Sequence, residues 1–142
     1  MFPNIEVLAR DYLATIGDLT DQVDPDNICS ALPKGVPSKT VPAVRVTRIG
    51  GTPLRRRPHW VDQPRVQLEA WAAAKNTAWD ITAICHAAFA QAHEHTHDLG
   101  VVAGVRTLLG PQDLPDTSFT PAMNRWTFDT VWTVHPHPNT GT

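Results

Sequence analysis

Apolar residues recur along this chain with two different periods. Near the N-terminus, Ile5, Leu8, Ala9, Tyr12, Leu13 and Ile16 fall at i, i+3, i+4, i+7, i+8 and i+11, the spacing of one helical face. Asn4 is placed to cap that helix and Gly17 to end it. A second helical pattern runs from about Lys75 to Ala92. There Ala78, Ile81, Cys85, Ala88 and Ala92 form a seam widened by Ile84 and Phe89, and the many alanines suit close packing on a sheet.

Elsewhere the period is two. In residues 43–49 Val44 and Val46 alternate with Arg45 and Thr47, as expected of a half-buried strand that Gly50 and Gly51 would close. In residues 65–71 Val66, Leu68 and Ala70 oppose Arg65, Gln67, Glu69 and Trp71. Residues 101–109 form another extended run. In residues 125–135 Trp126, Phe128, Thr130, Trp132 and Val134 oppose Arg125, Thr127, Asp129 and Thr133. Ile28 to Leu32 is a short further candidate. Prolines cluster in 33–42, 53–64, 111–121 and 136–138, which are therefore expected to be loops, and residues 136–142 lack apolar periodicity and are expected to be a flexible tail. The order helix, short strand, strand, strand, helix, strand, strand predicts an α+β fold, a mainly antiparallel sheet of about four to five strands with two helices packed on it.

Composition narrows the function classes. With 142 residues, 42% of them hydrophobic, the chain fits one domain over 1–142. A net charge of -2 with 18% charged residues supplies no global basic field for gripping phosphates, so any nucleic-acid contact must be local. Glu6 and Asp11 interrupt the N-terminal apolar positions, unlike a signal peptide, and no stretch reaches the roughly 18 apolar residues of a membrane helix. Cys29 and Cys85 then read as reduced thiols in a cytosolic compartment.

Four of the seven histidines, His86, His93, His95 and His97, lie within twelve residues and invite a metal reading. Helical zinc ligands pair at i and i+4, however, whereas His86 and His93 are seven apart and the rest alternate through the expected helix end. As surface groups they would favour the helix C-terminal dipole. Arg55, Arg56 and Arg57, followed by His59 and Trp60, concentrate positive charge between two strands. That suits an acidic or phosphate-bearing partner, or else a solvated loop. Cys85 and its neighbour His86 point about 100° apart on a helix and do not make a nucleophile pair. Asp18, Asp21, Asp24 and Asp26 suit turns and caps rather than a calcium loop, which needs a glutamate at its twelfth position. Gly50 and Gly51 lack the sequel of a phosphate-binding loop. Five tryptophans are many for this length, and Trp71, on the polar face of its strand, is a candidate interface residue with Arg55, Arg56, Arg57 and Trp60.

Three stretches together are more specific: PAVRVTRIGG, the D-x-PR-x-Q-x-x-x-W run from Asp62 to Trp71, and K-x-x-A-W-D from Lys75 to Asp80. With the N-terminal helix, and over about residues 2–135, they resemble tail terminator proteins of siphophages infecting actinobacteria. The resemblance implies a homo-oligomeric ring, usually six-fold, that caps the tail tube, ends its polymerisation and meets the head-tail connector or a head-completion protein. It implies a channel through which genomic DNA passes without sequence-specific binding, and a place at the head-proximal end of the virion tail after assembly in the host cytoplasm. It implies no catalytic residue, no cofactor, no metal and no membrane. It sets the Gly50 to Gln63 segment near a subunit junction or the channel. The stretch from His93 to His97 and the connection from Pro111 to Pro121 match no shared pattern, and loops of this kind suit partner specificity. A head-completion or neck protein is the alternative within the virion. A small metal-dependent hydrolase built on the histidines, or a DNA-binding module built on Arg55 to Arg57, are alternatives of other classes.

Overall fold

The computed structural model describes residues 3–38, 40–56 and 59–136. Helix α1 (Ile5–Ala14) begins where the Asn4 side chain accepts hydrogen bonds from the Glu6 and Val7 amides. It buries Ile5, Leu8, Ala9, Tyr12 and Leu13, the face that its spacing predicts. Gly17 does not simply end it. A short helix α2 (Gly17–Thr20) follows, burying Leu19, and a 3-10 turn over Pro25–Asn27 leads into β1 (Ile28–Cys29).

Four long strands make the sheet: β2 (Ala43–Arg56), β3 (His59–Ala72), β5 (Gly100–Asp113) and β6 (Asn124–Pro136), with a two-residue β4 (Thr96–His97). Helix α3 (Lys75–Ala90) connects β3 to β4. The order across the sheet is β1-β2-β3-β6-β5-β4, and every pairing is antiparallel except β1 on β2. The expected α+β class therefore holds, with six strands in place of four to five. The core lies between α1, α3 and one face of the sheet. It holds Val44, Val46, Val66, Leu68, Ala70, Phe128, Trp132 and Val134 against Leu8, Leu13, Ile81, Cys85 and Phe89. The ring of Phe89 meets those of Phe128 and Trp132 edge to face, at 5.7 and 4.9 Å between centroids. These are the side chains that the period-two alternation assigned to the inner face.

Four expectations are corrected. The strand drawn over 28–32 pairs only at Ile28 and Cys29, because its partner residues are Val44 and Arg45 alone. Gly50 and Gly51 do not end β2. The register slips by one between Arg48 and Gly50, a bulge that absorbs the glycines while the ladder continues to Arg56. The proline-marked segment 53–64 is consequently the two arms of a hairpin and not a loop, with Pro53 opposite Asp62 and Pro64 opposite Gly51. Pro53 is tolerated because β2 is at this point an edge strand, and Pro64 falls in the gap of the β3–β6 ladder between Asp62 and Arg65. Finally, β5 runs on through Gly110 and Pro111 to Asp113, with register shifts at three places, so the long connection starts only at Leu114. Of the flexible tail expected over 136–142, Pro136 instead ends β6 opposite Gly100, and residues 137–142 lie outside the described residues.

Candidate functional site

The hairpin of β2 and β3 carries the arginine cluster. Arg55 pairs with Trp60 and Arg56 with His59 along its ladder, while Arg57 lies outside the described residues. Its root is fixed by an ion pair. Arg48 Nη1 and Nη2 reach Asp62 Oδ2 and Oδ1 at 2.6 and 3.0 Å, a bidentate fork onto a carboxylate that is 1% exposed. The Arg48 amide donates to Glu6 Oε2 at 2.8 Å, which ties α1 to the strand beside the bulge. At Gly51, with φ +108°, a Cβ would run into the backbone of Gln63, Pro64 and Arg65, so only glycine fits the crossing. Sequence reasoning missed Arg48 and Asp62. Carrying the alternation of Val44 and Val46 forward, and that of Val66 and Leu68 backward, puts both on the inner face and marks them as a pair.

Trp71 sits on the outer face and is only 2% exposed, in a small second cluster with Ala43 and Met123. Its Nε1 donates to Asp116 Oδ2 at 2.9 Å, and the Arg45 guanidinium lies 5.2 Å from its ring centre. Arg45 and Arg125 share Glu69, at 2.6 and 3.3 Å. Partial burial raises the Asp116 carboxyl, yet hydrogen bonds from Ser118 and Trp71, with the Arg125 charge, outweigh it and hold the group below the usual carboxylate range. This chain of charges fastens the 114–123 connection across one end of the sheet. A groove of about 430 Å3 opens beside it, between Pro37 and Phe119.

The histidines do not converge. His86 Nε2 lies 2.9 Å from Thr107 Oγ1 on β5, with its ring edge-on to Phe128. His93 is exposed. His95 stacks on Tyr12 at 4.7 Å, and its burial, then the neighbouring His97, pushes its pKa below the ordinary value. His97 Nδ1 accepts from the Leu99 amide at 3.0 Å, which leaves the proton on Nε2 to donate to Asp11 at 2.8 Å. Among the described residues, no three His, Cys, Asp or Glu side chains are grouped to hold a metal ion. Cys85 is fully buried, and burial pushes its thiol far up, away from nucleophilic use. Among the described residues, no helix is long and apolar enough to cross a membrane.

Of the large apolar side chains that remain exposed among the described residues, Trp79 lies on α3 and Leu99 just before β5, and the other four lie along or next to the sheet margins. Beyond Cys29, no described strand covers β2, and beyond the short β4 none covers β5. Ile49 on β2, Leu108 and Leu109 on β5, and Leu114 just past it are 37–45% exposed. These side chains were not singled out from sequence, because a leucine pair in an extended run looks like core until its neighbours are known.

A family model described as phage tail termination protein matches residues 1–123. A solved chain from the virion of a native gene transfer agent particle shares the fold, with a TM-score of 0.66 at 14% identity over 89% of this chain and 91% of that one. No curated protein matches.

Proposed function

This chain belongs to the phage tail termination protein family, a structural part of the virion tail, and from that premise we propose that it forms a closed ring that caps the tail tube. The ring ends tube polymerisation and then presents its far side to the head-tail connector. The family match over residues 1–123 carries this reading. Two further features support it. Exposed apolar side chains lie at opposite margins of one sheet, as a ring built from two different patches per subunit needs. The histidines, the natural candidates for metal chemistry, do not converge: His86 meets Thr107 on β5, His95 and His97 meet Tyr12 and Asp11 on α1, and His93 is exposed.

In this scheme the hairpin tip with Arg55, Arg56, Arg57 and Trp60 meets a neighbouring subunit or the channel, where genomic DNA passes without base-specific contacts. Trp71, being buried, acts on an interface through the connection it holds and not by direct contact. The protein works without catalytic residues, cofactor or metal, at the head-proximal end of the tail, after assembly in the host cytoplasm.

The test is the mass of the protein by light scattering, alone and with the matching tail tube protein. A species several times the 15.6 kDa chain, alone or on tube ends, is expected. A monomer indifferent to the tube would overturn the proposal and favour a neck protein or a DNA-binding module.

A further inference from the structure

We propose that subunits join by edge-to-edge continuation of the sheet, the free margin of β5 in one copy docking beside the free margin of β2 in the next. This rests on the ring proposed above and names its junction.

The two margins are open for different reasons. On the β2 side, β1 covers only Val44 and Arg45, Glu6 occupies the Arg48 amide and Arg48 Nε donates to the Gly50 carbonyl at 3.1 Å, so that among the described residues the margin is open beyond Gly50. On the β5 side, β4 covers Gly100 and Val101, and the Val102 amide and carbonyl are used by His95 and Glu94, leaving the strand free from Ala103 to Asp113 among the described residues. An unpaired strand margin is a template for another chain.

The exposed apolar side chains choose the occupant. Ile49 lies on one margin, and Leu108 and Leu109 on the other, with Leu114 just past the end of β5. A two-fold contact of β5 with β5 would cover the leucines and leave Ile49 and the β2 margin in water. A second copy offset head to tail covers both, and repetition about an axis gives a ring.

Strand direction agrees with this. Passing from β2 through β3 and β6 to β5, three successive antiparallel pairings leave β5 running opposite to β2. Rotation about an axis along the strands preserves direction, so β5 meets the next copy's β2 antiparallel, as the rest of the ladder does. The register shifts flanking residues 104–107, with Pro111 beyond, break up the β5 margin and confine regular pairing to short stretches. That keeps the free subunit from pairing indiscriminately.

The experiment uses full-length protein carrying Cys29→Ser, with Ile49→Cys and Leu108→Cys singly and together, treated with a flexible bis-maleimide under conditions where rings are seen by negative stain. The double variant is expected to give a ladder of covalent oligomers ending at the ring size, and each single variant to stay monomeric on a denaturing gel. Leu108→Lys with Leu109→Lys, both at exposed sites, is expected to keep the wild-type circular dichroism and melting curve while weakening assembly at least tenfold. Rings that form without the ladder, dimers from Leu108→Cys alone, or the double lysine variant assembling like wild type would each overturn the edge junction while leaving the ring intact. Absence of rings with and without tube protein would overturn both.

Discussion

At the residue scale, the most informative group is the Arg48–Asp62 pair. Removing one member of a buried ion pair costs most when the charge left behind cannot reach water. Asp62 is 1% exposed and Arg48 one-third exposed. Arg48→Met is therefore expected to destabilise the fold by about 3 kcal/mol, and Asp62→Asn by about 1 kcal/mol, in urea unfolding. Equal costs would show that the pair is solvated. His95 and Asp11 make stability depend on acid. Because burial depresses His95 in the folded state, the unfolded chain takes up its proton first as pH falls below the ordinary 6.5. Stability is complete above that value and declines from there down to the folded pKa. His95→Gln should flatten that decline in urea midpoints measured against pH. For Asp11, partial burial raises the carboxyl, but hydrogen bonds from His97 and Arg10 prevail and lower it. Its contribution is present above the ordinary 3.8 and is lost only on further acidification. Cys85 should resist maleimide in the native protein and react only after denaturation.

At the element scale, the hairpin depends on its bulge. Gly51→Ala places a Cβ against the opposite backbone at a φ that side chains rarely adopt. It should cost at least about 2 kcal/mol, whereas Gly110→Ala, with nothing within 4 Å, should be nearly silent in thermal melts. Trp71→Phe keeps the packing and loses the Asp116 hydrogen bond, for a loss of about 1 kcal/mol. Elements were legible in the sequence where periodicity alone decides them. Val66, Leu68 and Ala70 and the tryptophans of β6 lie on the predicted face, and both main helices stand where their seams put them. Proline and glycine misled at residues 50–64, because Gly50, Gly51 and Pro53 sit at a bulge and on an edge strand and Pro64 in a gap of the β3–β6 ladder, where none of them breaks a pairing. Strand β1 was anticipated over 28–32 but pairs only at Ile28 and Cys29, and the two-residue β4 was beyond reach, since strands this short exist only through their partners. Of the proposed assembly surface, the arginine cluster was visible in sequence, while Ile49, Leu108 and Leu109 became candidates only once the sheet order showed which strands lie at its margins.

For the whole molecule, a one-sided layer of helices on an open sheet leaves a polar outer face and two unfinished margins. In the ring proposed above, those margins would be completed by copies of the same chain and by a tube end. The measurement that tests this most directly is electron microscopy of tubes polymerised from the matching tail tube protein in the presence of this chain. One ring at one end of each tube, with tube lengths capped, is the predicted result. Tubes of unrestrained length with bare ends, or this protein bound along their sides, would contradict it.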